Sequence, residues 1–591
     1  MQAKLAQLQT EPSVTPAPAP ISTSTPTPTQ ISTPTPTAAT VTAPIPVDFG
    51  PNVLIFDPSM AASAIQTKVD NIFRQQESNH FASTRYALIF KPGYYNATVK
   101  VGFFTQVLGL GQLPDDVTIN GTVQADARWF NGNATQNFWR GVENMAVIPS
   151  GGTERWAVSQ AAPFRRMHVR GNLILDDGGW SSGGFLSDSK IDNQINSGGQ
   201  QQWFTRNSQI GNWNGSNWNM VFLGVTNAPS GASWPNPPNT VVSQTPIIRE
   251  KPFLTFNNAT GYSVFVPALR SNTQGTSWGN GGAAGESISI DQFYIAKQGI
   301  DTASTINSAL RLGKHLIFAP GVYRLNETIR VTRANTVVLG LGLATLVSDN
   351  GVNAMSIADV DGVKIAGLLF DAGRVNSQIL LEVGPTGSSA DHSTNPTSLH
   401  DIFFRIGGGD VGKASVSLKI NSNNTIGDHF WIWRADHGVG DTVGWYNNTT
   451  ANGLIVNGTN VTIYGLFVEH YHQYQTVWNG NGGRVYFYQS EIPYDVPNQQ
   501  SWMNGGVNGF ASYKVGNSVT THEAWGLGIY CYFSSNPSVK LENAIEAPRT
   551  PGVKFHNMTT VSLGGVGEIT HVYNYNGNAA APWSQVSRLG Q

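Results

Sequence analysis

Two short stretches of the chain set a carboxylate among aromatic rings: Tyr464-Gly465-Leu466-Phe467-Val468-Glu469-His470-Tyr471 and Tyr488-Gln489-Ser490-Glu491-Ile492-Pro493-Tyr494-Asp495. Cleavage of a glycosidic bond needs one protonated acid for the leaving oxygen and a second polar set that activates water. Aromatic surroundings raise the pKa of the acid and offer stacking platforms for sugar rings. Glu469 and Glu491 stand 22 positions apart, about one turn of a stacked parallel β-structure, so they are expected on neighbouring rungs facing one groove. With rungs ~4.8 Å apart, a one-residue offset in depth predicts the ~6.5–9.5 Å carboxyl separation of an inverting pair. Tyr471, Tyr474, Trp478, Tyr488, Tyr494 and Trp502 are candidates for the aromatic lining. Glu491 precedes Ile492-Pro493-Tyr494, which predicts a desolvated acid, whereas Glu469 beside His470 is expected to stay ionised. A further polar cluster lies in Trp431-Ile432-Trp433-Arg434-Ala435-Asp436-His437-Gly438. It reads equally as a substrate contact through Trp433, Asp436 and His437 or as an Asp–Arg–His hydrogen-bonded corner that shapes a loop.

Other chemistries find little support. There is no Gly-rich phosphate loop ahead of a helix, no zincin motif and no G-x-S-x-G elbow. The single cysteine, Cys531, cannot form an internal disulfide. Asp176, Asp177 and Asp371 lack the regular oxygen-ligand spacing of a calcium loop, so neither a metal nor another cofactor is expected. The 591 residues carry a net charge of −2 and only 12% charged side chains, about half the usual share. That balance excludes a phosphate-backbone binder. No apolar run approaches the ~20 residues that cross a bilayer, so neither nucleic acid nor membrane is an expected partner.

The elements that must position these residues are legible in an internal repeat. Tyr86 to Ile119 and His315 to Ser348 both contain I-F-x-P-G-x-Y, then alternating β-rich residues, then V-L-G-L-G. Each copy follows a segment with helical periodicity, Ala62 to Phe73 and Thr302 to Leu312. Beyond each copy run short strands such as Val363 to Phe370, Val461 to Val468 and Val485 to Gln489, recurring every 20 to 25 residues with Gly and Asn at the corners. This predicts an all-β chain of two tandem right-handed parallel β-helix domains of the pectate-lyase-like type, each with a short opening helix. Residues 1–46, rich in Pro and Thr, read as a disordered tether. The first β-helix is expected over 47–290 and the second, carrying the acid, over 291–591.

In these motifs the chain resembles the family 55 glycoside hydrolases, β-1,3-glucanases built as two tandem β-helix domains with a groove between them. The repeated blocks look like the two domain openings. Trp156-Ala157-Val158-Ser159-Gln160-Ala161 is similar to the family's W-x-V-x-Q-A segment, and Ser182-Gly183-Gly184-Phe185-Leu186-Ser187-Asp188 to its S-G-G-F-M-x-D segment. Trp433 to His437, Val468 to His470 and Gln489 to Tyr494 resemble its W-x-A-D-H, S-E-H and Q-x-E-x-P-Y motifs. The resemblance implies Glu491 as general acid, with Gln160, Ser182 and Glu469 placing the attacking water, inversion of configuration and release from a chain end. It implies a β-glucan substrate and a secreted enzyme, here expected as a monomer, although residues 1–9 lack the pattern of a signal peptide. A glycosidase on another glucan linkage, a β-helix polysaccharide lyase and a non-catalytic carbohydrate-binding adhesin are the alternatives. The lyase needs cations and a Lys or Arg base, and only Arg484 lies between the two glutamates.

Overall fold

The repeated Tyr explains itself first. Tyr95 donates its hydroxyl to Lys91 O (2.7 Å) and Phe56 O (3.2 Å). Tyr323 donates to Ala319 O and Ala296 O, both at 2.8 Å. In each copy one phenol therefore ties the P-G turn to the strand before it, and packs edge-on against the preceding Phe90 or Phe318. The helices ahead of these turns are α1, Ala62–Gln76, and α2, Ala303–Arg311, the latter capped by Thr302, whose Oγ1 accepts from the Thr305 N–H.

This computed structural model describes residues 47–279 and 281–590, so the sequence-predicted tether at 1–46 lies outside the described residues. After α1, parallel strands add one by one, through Tyr86–Phe90, Thr105–Gly109, Arg140–Pro149, Pro163–Val169, Phe185–Ser187 and Gln202–Arg206, to Asn219–Leu223 and Asn239–Val242. This first stack ends there. Antiparallel strands follow between Thr245 and Ser289, and a second parallel ladder begins at Phe293–Ala296. It climbs through Val337–Ser348, Lys364–Ala372, Ser398–Ile406, Ile426–Arg434, Thr462–Glu469 and Gly483–Glu491 to His522–Cys531 and Val553–Ser562, closed by the antiparallel Val586–Leu589. A nine-stranded sheet forms its other face. Val, Ile, Leu and Phe side chains from both faces fill the space between them. The fold is thus two parallel β-helices. The Asn corners stack as expected, Asn479 donating to Asn457 and Asn457 to Asn421.

The rungs are less even than their sequence spacing implies. Register partners Ser398 and Ile426, Ile426 and Thr462, Thr462 and Arg484, and Arg484 and Glu523 lie 28, 36, 22 and 39 positions apart. The longer turns carry loops around Asp436–Asn448 and Tyr494–Ser512, which reach out of the ladder without disturbing it.

From Lys364–Ala372 to Val553–Ser562 each rung of the main ladder skips one residue in the register, and the skipped residues form a column: Gly367, Asp401, His429, Gly465, Phe487, Gly526 and Asn557. All have positive φ. The kink swings each of these positions toward the first stack, where Asn144, Arg166, Asp188 and Asn207 have the same left-handed backbone. Between the columns runs an aromatic seam that includes Phe104, Phe138, Trp139, Phe185, Phe403, Trp431 and Phe487.

Candidate active site

Where the stacks diverge from this seam, a groove of about 980 Å³ opens, lined from the first stack by Phe138, Gln160, Trp180 and Ser182 and from the second by Trp431, Trp433, Asp436, His437, Glu469, His470, Glu491 and Tyr494. Its described lining contains no Lys or Arg. Among the described residues no group of three or more His, Cys, Asp or Glu is placed to hold a metal ion.

Glu469 and Glu491 end adjacent strands and are direct register partners. The one-residue offset expected from the sequence is absent. Their side chains instead part sideways toward different neighbours. Glu469, 2% exposed, accepts from Gln160 Nε2 at 3.0 Å through Oε1 and from Trp431 Nε1 at 2.8 Å through Oε2. Glu491, 8% exposed, accepts from Gln489 Nε2 at 3.1 Å and from the Tyr494 hydroxyl. Contrary to the expectation that only Glu491 is desolvated, burial lifts both carboxyls above their ordinary range; for Glu469 the charge of Glu491 adds to it, while Trp431 and Gln160 oppose it. The two donors differ in kind. An indole N–H and an amide N–H can only donate, so both oxygens of Glu469 are committed as acceptors. A phenol can turn and accept, which leaves Glu491 able to carry a proton on the oxygen facing Tyr494.

His470 does not serve Glu469, contrary to the expectation from adjacency. With φ of 67° at His470, the ring turns away from its sequence neighbour to lie 3.8 Å from Glu491 Oε2 and 3.9 Å from Asp436 Oδ1. Glu469 is accordingly held in place by neutral donors, without a histidine. Asp436 accepts from His437 Nδ1 at 2.8 Å; against the pull of burial, His437 and His470 hold its carboxyl below the usual range. The alternative Asp–Arg–His corner is not formed, because Arg434 pairs with Asp495 instead (2.6 and 2.9 Å) and caps the carbonyls of Gly444, Asn448 and His470.

Four rings expected on the lining belong to the interior, among them Tyr488, wholly buried with its hydroxyl on Ser512; Tyr474, partly buried against Phe510, also lies off the groove. Tyr471, Trp478 and Trp502 are within 1% of full burial in the core of the second stack. Tyr471 shares a hydrogen bond with Ser417, Trp502 donates to His472 O, and Trp478 lies under Gly483. They are aromatic by the demand of rung packing, which a sequence window cannot distinguish from a sugar platform. Trp433, Asp436, His437 and Tyr494 do line the groove, joined by Trp431, Trp180 and Tyr532, which the sequence reading passed over. Trp431 was discoverable: two residues before Trp433 on the same strand, it presents the same face.

Gln160 is fixed by its backbone. Its φ is 34°, its N–H donates to Gly183 O (2.8 Å), and its carbonyl accepts from Ala162 N (2.8 Å) and His429 Nε2 (2.9 Å). Its Oε1 is buried without a partner in the protein. Ser182, 7% exposed, is held by its N–H on Ser159 Oγ at 2.9 Å.

Residues 293–491 match the LAM55 pectate lyase-like domain. Over 530 residues the chain is 56% identical to an exo-β-1,3-glucanase of Streptomyces sp. strain SirexAA-E, covering 89% of this chain and 86% of that one. The solved structure of sacteLam55A from the same organism superposes with a TM-score of 0.90 at 54% identity, covering 92% of this chain and 98% of that one. A variant of that protein in complex with glucose superposes equally well. Together with the twin β-helices, these likenesses show that the chain belongs to the family 55 glycoside hydrolases.

Proposed function

We propose that the chain hydrolyses β-1,3-glucan from a chain end with inversion, Glu491 acting as general acid and Glu469, Gln160 and Ser182 holding the attacking water. The observation that carries this reading is the 3.0 Å bond from Gln160 Nε2 to Glu469 Oε1, which joins the two stacks beside the register partner Glu491 in a groove without cations. A water beside Glu469 can give its proton to the carboxylate as it attacks. Glu491 then protonates the departing oxygen. Trp180, 73% exposed, and the other groove rings offer stacking faces to neutral sugars.

A uronate lyase is disfavoured by the same lining, since no Lys or Arg is there to neutralise a carboxylate substrate. A purely binding adhesin has no need of two buried carboxyls pushed upward at the bottom of its groove. The Pro/Thr-rich composition of residues 1–46 supports action outside the cell. The test is hydrolysis of a panel of glucans followed by NMR: glucose released first as the α-anomer from a β-1,3-glucan is expected. The β-anomer as first product would reject inversion, and activity confined to another linkage would reject the substrate.

A further inference from the structure

We infer that Asp401 and His429 form a positioning relay that sets Gln160 against Glu469 from across the seam, so that the attacking water is aligned by residues that never touch it. The inference rests on the reading of Gln160 as part of the water site.

Gln160 and His429 belong to different stacks and both have left-handed backbones, with φ of 34° and 73°. The kink in the second stack brings the imidazole of His429 onto the Gln160 carbonyl, Nε2 to O at 2.9 Å, and its other nitrogen onto Asp401 Oδ1, also at 2.9 Å. A carbonyl and a carboxylate facing Arg165 and Lys251 can only accept. The ring therefore donates from Nε2 to the Gln160 carbonyl, with Nδ1 against Asp401. Phe185 of the first stack lies flat on the ring, 4.3 Å between centroids and 5° between planes, and Phe403 and Phe467 close its edges.

Charged and titratable groups surround the relay. His400 Nδ1 lies 3.4 Å from Asp428 Oδ2, and Lys251 also pairs with Glu143 at 2.7 Å. Arg165 grips Asp401 at 2.7 to 3.0 Å, Lys251 reaches its other oxygen at 3.1 Å, and Asp428 beside His429 is taken by Arg165 and Arg206. On the far side, Gln160 leads to Glu469, with Glu491 and Asp436 beyond it. Among the described residues His429 thus links the seam's charge cluster to the water site through the Gln160 backbone, whose own conformation is one that a non-glycine residue holds only under constraint.

The test is a double-mutant cycle between His429→Phe, which keeps the ring stack but removes both ring nitrogens, and Gln160→Ala. His429→Phe is expected to lower kcat about 10- to 100-fold with KM little changed, as for a misplacement of about 1 Å. Because Gln160 would no longer donate firmly to Glu469, the acidic limb of the kcat–pH profile is expected to move to higher pH in both single variants. The double variant should lose no more than Gln160→Ala alone, since both changes act through one amide. His429→Gln, which can still donate to the carbonyl, should recover part of the loss, and it carries the same cycle if the Phe variant does not fold. Additive losses, or an unmoved pH limb in the folded His429 variant, would overturn the relay while leaving the site reading intact. Full activity of Gln160→Ala would overturn the site reading itself and the relay with it.

Discussion

Asp401 and Asp428, on two successive strands of the second stack, and Glu469 and Glu491, on the next two, all face the first stack from 8% exposure or less. What meets each pair differs. Asp401 and Asp428 are met by Arg165, Arg206 and Lys251, themselves buried, with N–O distances from 2.7 to 3.1 Å. Against the upward pull of burial, these cations hold both aspartates well below their ordinary range. Glu469 and Glu491 are met by amide, indole and phenol groups, and burial carries their carboxyls upward unopposed by any Lys or Arg. One interface thus makes two kinds of carboxylate from the same depth of burial. The choice of cation or neutral donor as the partner separates the structural pair from the reactive one.

The sharpest way to break this comparison is to neutralise the reactive pair. Glu491→Gln is expected to remove on the order of 10²–10⁴ of the rate on unactivated glucan, with a smaller loss on an aryl β-glucoside whose leaving group needs no proton. Glu469→Gln should depress both substrates alike, because water attack is common to them. Steady-state kinetics of both variants on both substrates decide the roles, and equal losses for Glu491→Gln on the two would reject it as the acid.

The structural pair should respond in stability instead. Arg206 binds Asp428 and Glu250 together, every partner buried. Arg206→Met leaves Asp428 to Arg165 alone and Glu250 to Arg270 alone, each with one cation fewer, and is expected to cost about 3 kcal/mol, read as a lowered thermal midpoint. The kcat of the protein that remains folded should change little. Acidification should act on the same pair: carboxyls depressed in the fold stabilise it above their unfolded pKa, and that stability is lost as pH falls below about 4. An Arg206→Met protein with unchanged stability would mean the aspartates are not what the cations are there for.

Much of this arrangement was legible in the sequence. The repeated P-G-x-Y turns, the helices before them and the 22-residue step that puts Glu469 and Glu491 on neighbouring rungs depend on local chemistry and on strand period, although the pair stands in direct register and not offset by one residue. Gln160 and Ser182 were found through family likeness, since nothing local marks a neutral side chain as part of a water site. What escaped was everything decided by the direction of a side chain. Tyr471, Trp478 and Trp502 lie in polar, aromatic windows that look like a binding surface, yet their rings point into the rung interior. His470 sits next to Glu469 in sequence and serves Glu491 in space, because one positive φ reverses its direction. The seam's charge cluster was invisible for the same reason: Arg165 and Asp401 are separated by 236 positions, and only the facing kinks bring them together.

A third kind of buried carboxyl sharpens the comparison. Glu154 is wholly buried in the first stack and has neither a cation nor a place in the groove. It is met only by backbone amides, Val123 N on Oε2 at 2.9 Å and Arg155 N on Oε1 at 3.0 Å. Two amide donors do not offset its burial, and its carboxyl is pushed up to about 7. The unfolded chain releases this proton near pH 4.5 while the fold retains it until about 7, so the destabilisation grows between those values and is constant above them. At pH 8 it amounts to on the order of 3 kcal/mol. Glu154→Gln keeps an acceptor for one amide and removes the charge, so it should stabilise the protein at pH 8 and make little difference at pH 4. Thermal midpoints of the two proteins measured at both pH values provide the check. A gain equal at both would trace to packing, and a loss at pH 8 would show that the two amides alone hold a buried carboxylate as effectively as Arg165 holds Asp401.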